Sequence, residues 1–281
     1  SPLMVIGLVV GVVVSLFQAL TQIQEQTLIF VPKILAMFVT LLLALPSQAQ
    51  DQGSDPLLEA GRINARLAME YLKREQVQIA EEKIAKALLQ NPKDINVQLS
   101  AGLVYERLNN KKRAEKHFRN ALKADTDSPE AQNALGAFLC RNGQHDKGEA
   151  MFLKAARNQL YRTPVVAYTN AGVCARSAGD LDRAEQYLRQ ALNVHMEYPE
   201  TYAQLAGVMY DRGNYLQARA FVERFLAVAP VTADVLLLGH KIELALKDAT
   251  AAAVFSDRLR KEYPDSEQVR ALDNMERRNT G

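Results

Sequence analysis

Two cysteines are the residues of this sequence best suited to metal binding or redox chemistry. Cys140 and Cys174 show no C-x-x-C spacing and have no nearby histidine to complete a metal site. Both lie at core-like helical positions, which favours two buried, small hydrophobic side chains. A disulfide is the alternative, and it requires Cα atoms within about 7 Å, whereas packed helix axes lie about 8–10 Å apart.

The histidines indicate no metal or catalytic site. None lies at i, i+4 from another ligand on a helix face, as a zinc site needs. The sequence contains no G-x-S-x-G, P-loop or G-x-G-x-x-G motif, so we expect neither an enzyme nor a cofactor or metal. We expect solvated or packing roles for all four, His117, His145, His195 and His240.

The composition is that of a soluble helical protein with an extra apolar segment. The 281 residues are 48% hydrophobic and 23% charged, and they include no Trp. The net charge is +2, and the basic residues form no stripe of the kind that binds a phosphate backbone. We therefore expect no nucleic-acid partner.

A period of 34 residues organises the chain from about residue 61 onward, with one slip of two residues between Tyr161 and Pro164. One position of the period carries a small residue each time: Ala80, Ala114, Gly148, Ala184, Ala218 and Ala252. Four residues later a large apolar side chain recurs, as at Phe118 and Leu188. Small residues let two helices approach closely, and large ones fill the space between them.

This spacing is typical of the tetratricopeptide repeat (TPR), a pair of antiparallel helices. Prolines such as Pro92 end second helices, and Gly143, Gly179 and Gly213 fit turns that need positive φ. The sequence predicts an all-α TPR superhelix of six helix-turn-helix repeats, in a domain spanning 61–281. The repeats are expected at about 61–94, 95–128, 129–164, 165–198, 199–232 and 233–266.

The sequence of the first 49 residues predicts one or two hydrophobic helices, and residues 50–60 are predicted to form a linker. In one interpretation, the apolar runs at 3–17 and 28–45 form a helical hairpin in the membrane. In the other, Lys33 and the run 34–45 form a signal segment cleaved after Ala49. Both place the repeats outside the cytoplasm, so we expect a periplasmic or cell-envelope domain.

The candidate binding site is the concave face, which the first helix (A) of each repeat would line. Apolar patches beside Arg and Asn suit an extended peptide or a partner helix. The alternative is that Met69, Leu99 and Leu103 only pack between neighbouring A helices. The candidate groove residues are Arg62, Met69, Leu72, Lys73, Leu99, Leu103, Arg107, Asn133, Arg141, Thr169 and Arg176.

Part of the N-terminal segment resembles a membrane protein family. Residues 15–33 (SLFQALTQIQEQTLIFVPK) are similar to the polar turn and P-K-I motif of the FliQ-type subunit of the flagellar and type III export gate. The resemblance covers about residues 3–45 and implies a two-helix membrane protein. Because an export-gate subunit carries no repeats, it indicates a gene fusion or a misplaced start.

Four segments of the repeats are more specific than the general TPR pattern: RINARLAMEYL (62–72), NALGAFLC (133–140), DVLLLGHKIELA (234–245) and RLRKEYPDSE (258–267). Through them, residues 62–267 resemble the PilF/PilW family of type IV pilus biogenesis proteins. The resemblance implies an outer-membrane lipoprotein, or pilotin, that helps the pilus secretin to assemble. Such a lipoprotein needs a Cys after its signal sequence, and residues 45–50 (LPSQAQ) contain none.

These features predict a protein-binding scaffold in type IV pilus biogenesis, with the secretin as partner. Two alternatives remain. One is a general TPR adaptor of the cell envelope. The other is a membrane-tethered component of a flagellar or type III export apparatus.

Overall fold

The computed structural model describes residues 55–280, and every regular element in this range is an α-helix. The thirteen helices are α1 (Pro56–Lys73), α2 (Val77–Gln90), α3 (Ile95–Arg107), α4 (Lys111–Ala124), α5 (Pro129–Arg141), α6 (His145–Ala156), α7 (Pro164–Ser177), α8 (Leu181–Val194), α9 (Pro199–Asp211), α10 (Tyr215–Val228), α11 (Ala233–Ala245), α12 (Ala249–Glu262) and α13 (Glu267–Thr280).

The first twelve helices form six consecutive A–B pairs, which confirms the TPR superhelix. Each A helix packs most extensively on the B helix that follows it. The recurring small residues lie at this contact, and Ala80, Ala114, Ala184 and Ala218 are fully buried. The approach at Gly172 is so close that a Cβ there would lie 2.5 Å from Cγ of Leu188. The 34-residue period therefore reflects close packing of two helices per repeat.

The A helices occupy the inner side of the array. Successive A helices contact one another from α1 to α11, whereas each of the first five B helices contacts its own A helix and the A helix of the next repeat. An array whose A helices are the closer neighbours curves with those helices on its concave side. The candidate groove residues therefore lie on the elements expected to carry them.

The A–B turns all use one left-handed residue. Gly143, Gly179 and Gly213 have φ of 77°, 83° and 77°, which confirms their predicted role in the turns. The same place in the other three turns is taken by residues with a Cβ, namely Glu75, Asn109 and Lys247.

The slip in the period appears as one long connection. The loop between α6 and α7 spans residues 157–163, whereas the other B–A loops have four residues. Helix α6 is also the shortest B helix, with 12 residues instead of 14. The extra chain lies between repeats three and four.

The repeat domain begins at Pro56, five residues before the predicted boundary, and a helix that was not predicted follows the sixth repeat inside the predicted domain 61–281. Helix α1 begins at Pro56, inside the predicted linker 50–60, because a proline suits the first turn of a helix. At the other end, α13 follows the sixth repeat, and its Leu272 is fully buried against Leu236 and Leu259. Helix α13 thus covers the apolar side of the last repeat.

The hydrophobic helices predicted for residues 1–49 lie outside the described residues. Within residues 55–280, none of the helices combines the length and apolar character that crossing a membrane requires.

Candidate functional site

The apolar candidates of the groove fall into two groups. Leu72, Leu99 and Leu103 are partly buried and pack against the core of the first three repeats. Met69 is also partly buried, but it lines an open cavity of about 640 Å³ on helices α1 and α3. Met69 is therefore the apolar candidate best placed to contact a partner.

The cavity beside Met69 has a mixed lining. Arg62, Arg66 and Glu70 of α1 face Asn96 and Ser100 of α3 across it. Side chains of this kind can hydrogen-bond an extended backbone while Met69 receives an apolar side chain. A hydrogen bond to Asp94 holds the Arg62 guanidinium in place and raises its pKa.

Further along the groove, arginines bridge neighbouring repeats. Arg141 donates two hydrogen bonds to Glu106, at 2.9 and 2.8 Å, and Arg176 donates one to Asp211 at 2.7 Å. Arg107 Nη2 lies 3.4 Å from Glu75 Oε1. Exposed pairs of this kind add little stability, so their main effect is to fix the positions of the guanidinium groups.

The remaining charged candidate, Lys73, pairs within its own helix. Its Nζ lies 2.8 Å from a carboxylate oxygen of Glu70, and this hydrogen bond lowers the Glu70 pKa. The Lys73 ammonium is therefore held at the end of helix α1.

The two small polar candidates lie between A helices. Asn133 of α5 accepts a hydrogen bond from Asn170 of α7 at 3.0 Å. Thr169 is only 2% exposed, and its hydroxyl contacts the Val165 carbonyl at 2.8 Å and the Thr201 hydroxyl at 2.7 Å. Because these contacts hold Thr169 between α7 and α9, its side chain faces the helix interface and not the groove.

The structure corrects the prediction for the cysteines. Cys140 of α5 and Cys174 of α7 form a disulfide with a Cα–Cα distance of 5.7 Å. The expectation of two unlinked side chains is wrong because the separation of helix axes overstates the distance between residues that face each other across the A–A contact. The two cysteines are 34 residues apart in a stretch where the slip makes one repeat 36 residues long, so they occupy different positions of their repeats, and the sequence period alone does not pair them.

A histidine does accompany the cysteines, contrary to the sequence prediction. His145 begins α6, and its Nδ1 lies 3.7 Å from Cys140 Sγ and 3.8 Å from Cys174 Sγ. The Ser177 hydroxyl is 3.4 Å from the same nitrogen and 3.7 Å from Cys140 Sγ. Four polar side chains from α5, α6 and α7 thus converge, and we call them the cysteine cluster.

Two of the other histidines have packing roles. His117 stacks on Tyr105 and lies 2.8 Å from Gln98 Oε1, and burial lowers its pKa. His240 is buried, and its Nδ1 lies 3.0 Å from the Ala252 carbonyl. The fourth, His195, is exposed after the end of α8.

Comparison with known proteins supports the assignment of the repeats as tetratricopeptide repeats. Three family models described as "Tetratricopeptide repeat" match residues 66–129, 127–197 and 175–242. The crystal structure of PilW, a "widely conserved type IV pilus biogenesis factor", is 32% identical with a TM-score of 0.66, covering 75% of this chain and 97% of PilW. The repeat region belongs to the PilF/PilW family. The PilF/PilW relatives include the type IV pilus assembly protein PilF of Pseudomonas aeruginosa, 24% identical over 216 residues, which cover 77% of this chain and 84% of PilF.

The N-terminal segment of this PilF/PilW member matches a different family. The model described as "Bacterial export proteins, family 3" matches residues 1–51. The flagellar biosynthetic protein FliQ of Caulobacter vibrioides is 61% identical over 46 residues, which cover 16% of this chain and 53% of FliQ. The chain thus spans about half the length of the FliQ proteins it matches.

Proposed function

We propose that this PilF/PilW relative is a binding scaffold for the pilus secretin and assists its assembly. The observation that carries the proposal is the 32% identity with PilW over 97% of that chain. The concave row of A helices supplies a surface of mixed apolar, amide and guanidinium groups, which suits a protein partner. A TPR array acts by presenting such a surface, so the proposed role requires no catalysis.

The proposed binding surface runs along the A helices and starts at the cavity beside Met69. Its polar part consists of Arg62, Asn133, Arg141 and Arg176, whose side chains are positioned by contacts between neighbouring repeats. Met69 would act as the apolar anchor, since buried anchors contribute most of the binding energy at protein interfaces.

Substitution of Met69 tests the surface directly. We expect Met69→Glu to weaken secretin binding by about tenfold or more, because a carboxylate must then lose its water in an apolar contact. The measurement is the affinity of the full chain for purified secretin, together with pili and secretin multimers in a deletion strain complemented by the variant.

Leu89→Glu is the matched control. Leu89 belongs to the B helix of the same repeat and is 84% exposed, so the substitution adds the same charge away from the groove. Equal affinities of the two folded variants would rule out the groove near Met69 as the binding site. Normal pili and secretin multimers after deletion of the gene would rule out the proposed role itself.

We also propose a location outside the cytoplasm, in the periplasm or at the outer membrane. The Cys140–Cys174 disulfide supports it, since such bonds persist mainly in oxidising compartments. Intact mass and N-terminal sequencing of the protein from native membrane and periplasmic fractions test it. A soluble species that begins near Gln50 would agree with a cleaved periplasmic protein.

The FliQ match favours a second candidate, a scaffold tethered to the inner membrane. The 61% identity of its 46 residues is specific enough to carry this alternative. A membrane species that retains residues 3–45 would establish the tether and exclude the outer-membrane role.

A further inference from the structure

The cysteine cluster has the dimensions of a tetrahedral metal site. Zinc binds thiolate sulfur at about 2.3 Å and imidazole nitrogen at about 2.0–2.1 Å, so a tetrahedral arrangement places sulfur and nitrogen about 3.6 Å apart. His145 Nδ1 lies 3.7 and 3.8 Å from the sulfurs of Cys140 and Cys174. One imidazole thus lies at ligand spacing from both sulfurs.

A fourth position is also occupied by a suitable group. The Ser177 oxygen lies 3.4 Å from His145 Nδ1 and 3.7 Å from Cys140 Sγ. These are the spacings expected of an oxygen ligand, or of a residue that holds a bound water, at the last corner of the tetrahedron. The two sulfurs are closer than metal ligands would be, because the disulfide joins them.

Rigid elements hold the cluster, and one side of it is open. Cys140 and Cys174 lie near the ends of neighbouring A helices, and His145 begins the B helix that packs between them. Cys174 is fully buried, while Cys140 and His145 are partly buried and Ser177 is exposed. A cation or a reductant can therefore reach Cys140 from the side where Ser177 is exposed.

We propose that the dithiol form of this protein binds one Zn²⁺ through Cys140, Cys174 and His145, with Ser177 or water as the fourth ligand. A dithiol reductant breaks the S–S bond, supplies two electrons and two protons, and is itself oxidised to a disulfide. Zn²⁺ then displaces the two thiol protons and takes both thiolates. A disulfide oxidant accepts two electrons from the two thiolates and is reduced to two thiolates, the Cys140–Cys174 bond forms again and Zn²⁺ is released, so the disulfide and the zinc complex exclude each other.

The disulfide and the zinc complex both link α5 to α7, but they form under different conditions. The disulfide is a covalent link that needs no metal, whereas the zinc complex needs reduced sulfurs and deprotonated ligands. The cluster is thereby a redox-gated metal site on the middle two repeats. This inference does not depend on the identity of the protein partner.

Cobalt uptake by the full chain tests the proposal. The protein is purified in mild detergent, freed of metal, and titrated with Co²⁺ after reduction with a phosphine or left oxidised. We expect the reduced protein to bind one Co²⁺ with thiolate-to-cobalt charge-transfer bands and tetrahedral visible bands, and Zn²⁺ to bleach them. The oxidised protein should show none of these bands.

Variants separate the cluster from other ligands. We expect Cys174→Ser to abolish the thiolate bands and His145→Gln to weaken Co²⁺ binding at least tenfold, while His195→Ala, which removes an exposed histidine, should leave binding unchanged. Circular dichroism verifies that each variant is folded. No cobalt bands in the reduced protein, the same bands in the oxidised protein, or full binding by folded His145→Gln would each overturn the proposal.

Discussion

In each A–B turn, the backbone conformation depends on the choice of a single residue. All six turns contain one left-handed residue, and a Cβ added at Gly143, Gly179 or Gly213 would meet nothing within 4 Å. The effect of a side chain there is therefore a backbone effect alone. Lys247 has φ of 63° at the equivalent place of the sixth repeat and carries the strain that glycine avoids.

Exchanging residues at these turns should change stability in opposite directions. We expect Gly213→Ala to lower the free energy of unfolding by about 1 kcal/mol, and Lys247→Gly to raise it by a similar or smaller amount. Urea denaturation of both variants beside the unaltered protein measures the difference. A stabilising Gly213→Ala would show that the left-handed conformation is not a source of strain here.

At the scale of elements, an ion pair between a buried carboxylate and a half-exposed arginine joins the B helices of repeats three and four. Glu149 of α6 is 3% exposed, and its carboxylate accepts a hydrogen bond from Arg183 of α8 at 3.1 Å. Burial raises the pKa of Glu149, although the charge of Arg183 opposes this shift. The carboxyl ionises less readily in the folded protein than in the unfolded chain. At neutral pH, the ionised Glu149 carboxylate therefore lowers the free energy of unfolding.

We expect Glu149→Gln to be more stable than the unaltered protein at neutral pH. The advantage should shrink as the pH falls through the raised pKa of Glu149, and should vanish once the carboxyl is protonated in both folded and unfolded states. Urea unfolding at a series of pH values gives the difference. Glu115→Gln is the control, because Glu115 pairs with Arg119 at the surface, and matching pH profiles for the two variants would contradict the prediction.

The repeats could be predicted from sequence because their rules are local. Buried small residues such as Ala114 recur at a fixed spacing, and the glycines of three turns fit the same frame. The disulfide was missed because it depends on how one repeat stacks on the next. Helix α13 was missed because its mostly polar sequence contains few apolar residues to mark it, of which Leu272 is fully buried.

At the scale of the molecule, stability is a sum over neighbouring repeats, and the ends are the first parts to open. Leu272 of α13 closes the C-terminal end against Leu236 and Leu259. We expect Leu272→Ala to destabilise the last repeat by about 2–5 kcal/mol, since it leaves a cavity in this contact. The exposed Asn274 gives a control, Asn274→Ala, which should have almost no effect.

Hydrogen exchange can show which helices Leu272→Ala destabilises. Amides of α11 and α12 should exchange faster, while those of α1 to α6 should keep their rates, because each repeat contacts only its neighbours. Uniformly faster exchange along the array would show instead that the described domain unfolds as one cooperative unit.

The disulfide between α5 and α7 also gives the array a mechanical character. A superhelix pulled at its two ends lengthens as a spring does, by opening the angle between successive repeats. The Cys140–Cys174 bond holds the inner helices of repeats three and four together, so this junction cannot open while the bond is intact. Extension is then confined to the junctions between the other repeats. A partner bound along the groove therefore contacts an array with a stiff central junction and more extensible ends.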